Sequence, residues 1–466
     1  MFGDTNLLDG NSNLQFSIPS IIIEYVERQL ESLEIGKSTG SDGLSARFLK
    51  LSASIIAPIL TRLYNRSISN CIFPRIFKLA KVTPVHKKGA IHDKSNYRPI
   101  SVLPSVSLIL ERHVSYYLKQ YLEENNLLYT RQSGFRSNHS CQTALVKLCD
   151  DWIRAIDNNE VVGTLLLDLS KAFDLVNHEI LLQKLASFNI GQSACSWFSS
   201  YLHNRFQQTY VSGVGSDISP VVSGVPQGSV LGPVLFLIFI NDLPNAAKKS
   251  IVDIFTEYTT LSFHHPSIDV VSDSLSDDLH SIKKWCDINC MSINVAKTKS
   301  LYISSKSKPC SANQISFENG MIQTSNEEKL LGVTIDSKLS FDCHINNVLK
   351  KCNSMLYLLS RIKAFLNIPM RKIFFNAYIL PHLDYCCVIW GNCGVSQEQK
   401  IIRFQKRAAR LILDKPFETP SSELFRELNW MTFPERVLFQ KAVLMYKIFS
   451  GLAPSYLRDT FMLNVK

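Results

Sequence analysis

The chain of 466 residues is 45% hydrophobic and 19% charged, proportions of a globular protein with room for two or three packed subdomains. Its longest unbroken apolar run, Val234–Ile240, is too short to cross a bilayer, and the opening MFGDTNLLDGNSN lacks the basic and apolar regions of a secretory signal. A net charge of +10 favours a polyanionic partner, and 12 cysteines without framework spacing suit a reducing compartment.

Residues 1–15 are polar and read as disordered. Ile18 to Leu33 carries Ile22, Ile23, Val26 and Leu30 on one stripe, the period of a helix. GKSTGSDGLS (Gly36–Ser45) is a loop, and helical periodicity resumes from Leu44 to Asn70. Lys78–Lys88 is strand-like with a proline kink, SNYRPISVLPS (Ser95–Ser105) reads as a returning turn, and Ser107–Asn126 as a helix. VVGTLLLDLS (Val161–Ser170) is a continuous apolar run ending in an acid, hence a buried strand whose functional end is Asp168. His178–Asn189 reads as a helix. The Gly- and Pro-punctuated loop Gly224–Pro233 feeds a helix over Val234–Asn241. IVDIFTEYTTLSF (Ile251–Phe263) reads as a hairpin with one acid at its tip. A helix around Asp277–Asn289, strands near Leu301–Ser304 and Lys329–Ile335, and a mostly helical remainder beyond Phe341 complete the chain. Strands and helices mix without regular βαβ alternation, which favours α+β.

Charge is uneven. Seven basic residues stand between Arg75 and Arg98 against Asp93 alone, and ten between Arg361 and Lys415 against Asp384, Glu398 and Asp414. Two such stretches suit a groove that grips a nucleic-acid backbone at two places; solvated helix faces are the alternative. Cys286/Cys290 and Cys386/Cys387/Cys393 lack the paired spacing of zinc ligands and read as buried free thiols. Phosphoryl transfer between nucleotides uses two divalent metals about 4 Å apart, held by carboxylates from separate strands. Asp168 and the Glu257 tip could supply such carboxylates, although Asp168 alone fits a helix N-cap equally well.

The surrounding text shifts that balance. LLLDLSKAFDLVNH, SGVPQGSVLGPVLFLIFINDLP and FTEYTTL follow in this order, preceded by TGSDGLSARFLK, FPRIFKLAKVTPVHKKG, NYRPISVLPSVSLILER and QSGFRSNHSCQTAL. SINVAKTKSLYIS, EEKLLGVTIDSKLSFDCHI and YILPHLDYCCVIWG follow downstream. The whole resembles the reverse transcriptases of non-LTR (LINE-type) retrotransposons, of the jockey and chicken-repeat lineages, over residues 35 to about 460. The resemblance implies an α+β right-hand polymerase with an antiparallel palm sheet: an N-terminal extension (1–35), fingers with part of the palm (36–160), palm (161–340), then thumb and a helical C-terminal region (341–466).

It also implies residue roles. Asp168 matches the first metal-binding aspartate, and Phe173 the aromatic gate against a ribose 2′-OH; lone phenylalanines are mostly core. Asp174 reads as structural. Gln227 and Gly228 match the loop beneath template base and incoming nucleotide, where glycine permits close backbone approach. Arg98 and Lys81 match residues that hold the triphosphate, Arg98 by its bidentate fork. Lys297 matches the lysine that protonates departing pyrophosphate, Leu331 and Gly332 the primer-grip hairpin, and Arg136 a template or primer contact. Implied partners are an RNA template, a DNA primer or target and dNTPs, with Mg²⁺, or Mn²⁺ in its place, as cofactor. No membrane association is expected, the setting is cytoplasm and nucleus, and nothing bears on oligomeric state.

One box departs from the family. Where the family reads aromatic-Ala-Asp-Asp, this chain reads Phe255-Thr256-Glu257-Tyr258. Glu257 keeps a charge on a longer arm, and Tyr258 removes the second carboxylate. The expectation is a polymerase whose catalytic set (Asp168, Glu257, Tyr258, Lys297) is impaired in this copy; the other reading is a catalytically dead nucleic-acid-binding remnant. The family also carries an endonuclease ahead of the polymerase, for which the stretch before residue 35 is too short, and no RNase H-like acidic set is apparent near the C-terminus.

Overall fold

The computed structural model describes residues 15–305, 314–318 and 320–461; the disordered reading of residues 1–15 falls outside them except at Gln15. The chain divides into two compact units. The first comprises Met1–Phe135, Leu169–Ala246 and Ser281–Ile293, the second Arg136–Asp168, Ala247–His280 and Asn294–Lys466. None of the described helices is long and apolar enough to cross a membrane.

The first unit holds helices α1 (Ile23–Glu31), α2 (Ala46–Leu51), α3 (Ala53–Ser69) and α4 (Ser105–Glu124), followed after the excursion into the second unit by α6 (His178–Ser187), α7 (Gln192–Leu202) and α8 (Gly232–Ile240). Its sheet runs β2 (Tyr97–Val102), β1 (Leu79–His86), β4 (Arg205–Val211), β5 (Val214–Gly215), with β6 (Ser219–Val221) also paired to β4. The segment read as a turn at Ser95–Ser105 is therefore strand β2, antiparallel to β1. Its proline misleads. Pro99 faces Pro84 across the ladder. Ser101, two residues on, donates its N–H away from β1 to the Gln227 carbonyl at 2.7 Å. By the two-residue period Pro99 sits at another outward position, where a missing N–H costs the β1–β2 ladder nothing. Helix α8 is hydrophobic all round and buried from Val234 to Ile240, the mark of a helix at the centre of a core. Beside it Phe73, Trp197 and Tyr201 pack edge-on or stacked.

The second unit is built on a six-stranded sheet in the order β10 (Ile315–Phe317), β11 (Gly320–Thr324), β9 (Lys299–Ile303), β3 (Val161–Asp168), β8 (Tyr258–His265), β7 (Ile251–Phe255). It is mostly antiparallel, as expected, but β9 and β11 pair in parallel. The chain does not turn straight back after β9; it lays down β10 first, as the antiparallel partner of β11. Helices α5 (Cys141–Asp157) and α9 (Ile268–Ile288) accompany the sheet, the last turns of α9 counting with the first unit. Gly163 lets α9 lie close, since a Cβ there would come within 2.4 Å of Val271. A separate hairpin, β12 (Glu327–Leu330) and β13 (Val333–Asp336), precedes the helical remainder. That remainder comprises α10 (Asp342–Ile362), α11 (Ile368–Tyr378), α12 (Leu380–Asp384), α13 (Cys387–Trp390), α14 (Val395–Leu413), α15 (Ser421–Leu428), α16 (Phe433–Phe449) and α17 (Ser455–Arg458). One core joins α5, β3 and β9 to these helices through Trp152, Val162, Ile303, Ile345 and Trp390. The described cysteines are free thiols; Cys286, Cys386 and Cys387 are buried as read, whereas Cys393 is half-buried and Cys290 exposed.

Candidate active site

Strand β3 carries the acid. Every residue from Val161 to Leu165 is buried, as a central strand with neighbours on both edges requires. The ladder with β9 ends at Leu166–Lys299, while that with β8 continues to Asp168–Tyr258. Asp168 thus protrudes past one neighbour, and the turn before β9 covers it: Asn294 donates its N–H to the Asp168 carbonyl at 2.8 Å. From the same turn Lys297 extends its ammonium to 3.1 Å from the Asp168 carboxylate. The acid is 16% exposed and the lysine 65%, so the pair is a wet one, worth no more than about 1 kcal/mol in stability.

The hairpin places the rest. Phe255 pairs with Tyr258, leaving Thr256 and Glu257 as a two-residue loop. Residues opposed across an antiparallel ladder point to the same face. The side chain that shares Asp168's rung and face is therefore Tyr258, 45% exposed, and Glu257 lies one residue out, in the turn. Among the described residues no group of three or more His, Cys, Asp or Glu is placed to hold a metal ion. The donor set is one carboxylate short: the rung position carries a phenol, and Asp168 already faces an ammonium. The residues present do not fit a two-metal centre.

In the first unit Lys81 and Arg98 share one face of the β1–β2 ladder, because Arg98 opposes Val85 and Val85 lies four residues from Lys81. Lys81 sits over the Tyr210 ring at 4.3 Å, and Arg98 is exposed. Phe173 is half-buried, stacked on Phe236 at 4.5 Å and edge-on to Phe135. Asp174 accepts a 2.8 Å hydrogen bond from the Gln227 side-chain amide, in keeping with its structural reading. Gly228 has φ +130°, and a Cβ there would fall 2.3 Å from the Ser101 carbonyl oxygen; no other residue fits. In the second unit Leu331 and Gly332 are the two-residue loop of the β12–β13 hairpin, and Arg136 is half-buried ahead of α5.

The reverse transcriptase (RNA-dependent DNA polymerase) family matches residues 85–335, more than half of the sequence. The chain belongs to that family. It is 28% identical over 438 residues to the probable RNA-directed DNA polymerase from transposon BS of Drosophila melanogaster, covering 91% of this chain and 48% of that protein. It is 27% identical over 431 residues to the RNA-directed DNA polymerase from mobile element jockey of the same fly, covering 90% and 47%. For the probable polymerase from transposon X-element the identity is 26% over 423 residues, covering 89% and 46%. The chain spans about half the length of the curated relatives it matches. The jockey-like resemblance carried by the motifs is borne out, and the family implies dependence on a divalent metal.

One reverse transcriptase residue escapes motif reading. Glu111 on α4 is fully buried; its Oε2 accepts from the Val230 and Leu231 N–H groups at 2.9 and 3.3 Å and from the Tyr201 hydroxyl. It tethers the start of α8, and with it the loop carrying Gln227 and Gly228. Burial pushes its carboxyl pKa upward against the opposing pull of Arg205. The sequence signal was an acid on a helical face otherwise free of charge, between Ser107 and Ser115 and beside Leu108, Val114 and Leu118.

Proposed function

We propose that this chain is the polymerase segment of a non-LTR retrotransposon reverse transcriptase, copying RNA into DNA from a primer with dNTPs, and that its catalytic centre is impaired as it stands. The observation that carries this reading is the rung Asp168–Tyr258 at the end of the central strand, in a chain whose family builds its catalytic centre from carboxylates at such strand ends. In this reading the β1–β2 face with Lys81 and Arg98 belongs to the fingers and holds the triphosphate, and Phe173 gates the ribose. Gln227 and Gly228 support the nascent pair. Leu331–Gly332 grips the primer, and Arg136 touches template or primer. Lys297, held at Asp168, is positioned to give a proton to departing pyrophosphate. Asp168 and Glu257 are the acids left for Mg²⁺ or Mn²⁺. The work would take place in cytoplasm and nucleus.

Primer extension on an RNA template tests it. The chain as given should extend primers poorly with Mg²⁺ or Mn²⁺. Thr256→Ala/Glu257→Asp/Tyr258→Asp should restore synthesis, and adding Asp168→Ala should abolish it again. One regained and one shortened carboxylate should return at least a hundred- to a thousandfold, on the order of 3–4 kcal/mol. A triple variant that binds primer-template yet adds no nucleotide would overturn the assignment of a single lesion.

A further inference from the structure

Arg361 aside, the basic residues of the stretch Arg361–Lys415 fall into two populations. One is structural. Lys363 pairs with Asp414 at 2.7 Å and Lys415 with Glu427. Arg371 donates to the carbonyls of Lys363, Leu366 and Ile412, and Lys372 to that of Leu428. These cations close helix ends and are spoken for.

The other lines a groove of about 1360 Å³ between α10 and α14. Six cations face it, Lys350 from α10 and Lys400, Arg403, Lys406, Arg407 and Arg410 from α14, with no acid among the lining residues. Two of the six are held by side-chain amides, and Arg410 donates to the Thr419 carbonyl at 3.3 Å. Lys400 donates to the Asn346 side-chain oxygen at 3.4 Å, and Arg407 donates to that of Asn353. The two rungs repeat after seven residues on each helix, about 10 Å along the axis. An amide orients a cation without cancelling its charge, unlike the carboxylates used elsewhere in this unit. Arg410 lies over the Phe417 ring at 4.9 Å, and its buried Nε has no hydrogen-bond partner. Two aromatic faces are left to solvent at the groove, Tyr357 at 65% exposure and Phe417 at 80%.

We propose that this groove is a binding site for single-stranded nucleic acid, distinct from the strand-end centre around Asp168. Oriented, uncancelled cations along a trough track a phosphate backbone, and exposed rings offer stacking platforms. Those rings select the strand state: bases in a duplex are stacked on one another, while unpaired bases are open to an aromatic face. Packed helices lie about 8–10 Å axis to axis, a trough for one strand. The inference deepens the polymerase reading and rests on it only for the kind of ligand.

Fluorescence anisotropy with the full chain tests it. The probes are a labelled RNA of about 16 nucleotides, the DNA of the same sequence and their hybrid duplex. Both single strands should bind, and Arg403→Ala/Arg407→Ala should weaken them at least tenfold. That variant should also flatten the slope of log K against log salt by roughly 1.4, two phosphates' worth for a single strand. Arg403→Lys/Arg407→Lys should keep the slope, which separates lost charge from lost fold. Tyr357→Ala should weaken binding about tenfold with the slope unchanged, the size of one stacked base. Unchanged single-strand affinity in the Ala pair, an equal loss for the duplex, or equal groove-dependent binding of a polyglutamate peptide would each overturn the site. Primer extension by the carboxylate-restored variant is read separately, so a failed groove leaves the polymerase reading standing and the reverse.

Discussion

Two hairpins in the second unit close with two-residue loops; both take positive φ at a non-glycine first position, and they differ at the second. The β12–β13 loop, Leu331–Gly332, takes positive φ at both positions, +45° and +89°, the type I′ pattern that matches strand twist. Glycine meets the second demand. Tyr385 then locks the loop, donating its hydroxyl to the Leu331 carbonyl at 2.7 Å while its ring lies where a Cβ of residue 332 would be, at 2.9 Å. The β7–β8 loop, Thr256–Glu257, takes positive φ at Thr256, +57°, a place where a β-branched side chain is strained. Two central threonines, Thr259 and Thr260, are buried just behind the tip. One hairpin gives its second position to a glycine locked by Tyr385; the other has no glycine in its loop. The difference is one of support: a glycine and a tyrosine hydroxyl fix the first loop, and Thr256 carries the strain of the second.

The sharpest way to break the comparison is to restore positions 257 and 258 singly. If the rung matters, Tyr258→Asp should recover most of the primer extension regained by the triple variant, and Glu257→Asp alone less than a tenth of it. Equal rescue by either would mean that the ladder register does not decide which carboxylate counts. The next effect is on stability. Gly332→Ala places a methyl against Tyr385 at positive φ and should cost about 1–3 kcal/mol in urea unfolding, and Tyr385→Phe should relieve none of it. The smallest effect runs the other way. Thr256→Gly removes αL strain and adds chain entropy, for a net gain of about 0.5–1 kcal/mol. A loss instead would show that Thr256 makes compensating contacts at the tip.

How far the sequence carried follows from the same physics. Strand β3 was legible to within two residues, from a continuous apolar run ended by an acid; the hairpin at Ile251–Phe263 was legible from its punctuation, the one at Leu331–Gly332 only through the family resemblance, and β10–β11 not at all. Strand β4 was not. It opens on Arg205, a charged residue that is 2% exposed because Tyr201 and Phe73 stack against its guanidinium at 4.8 and 5.8 Å. A buried arginine defeats any polarity pattern. Strand β2 was hidden by Pro99, whose outward placement only the register reveals. The basic stretch was legible as charge but not as function: only side-chain partners divide Lys363, tied to Asp414, from Arg407, held by an amide. The rung was legible in part. Spacing gave Asp168 and the tip, but which tip residue faces the acid is a matter of register, and that took the ladder.

The contact between Gly228 and Ser101 has a consequence for the sheet it touches. Strand β2 ends its sheet, and the Gln227 carbonyl occupies a backbone donor on its open side. An open strand edge invites another chain to add to it. The loop carrying Gln227 and Gly228 therefore serves as a seal on the sheet. Any side chain at 228 would pry that seal loose, and the first symptom of damage there would be self-association of the protein at high concentration.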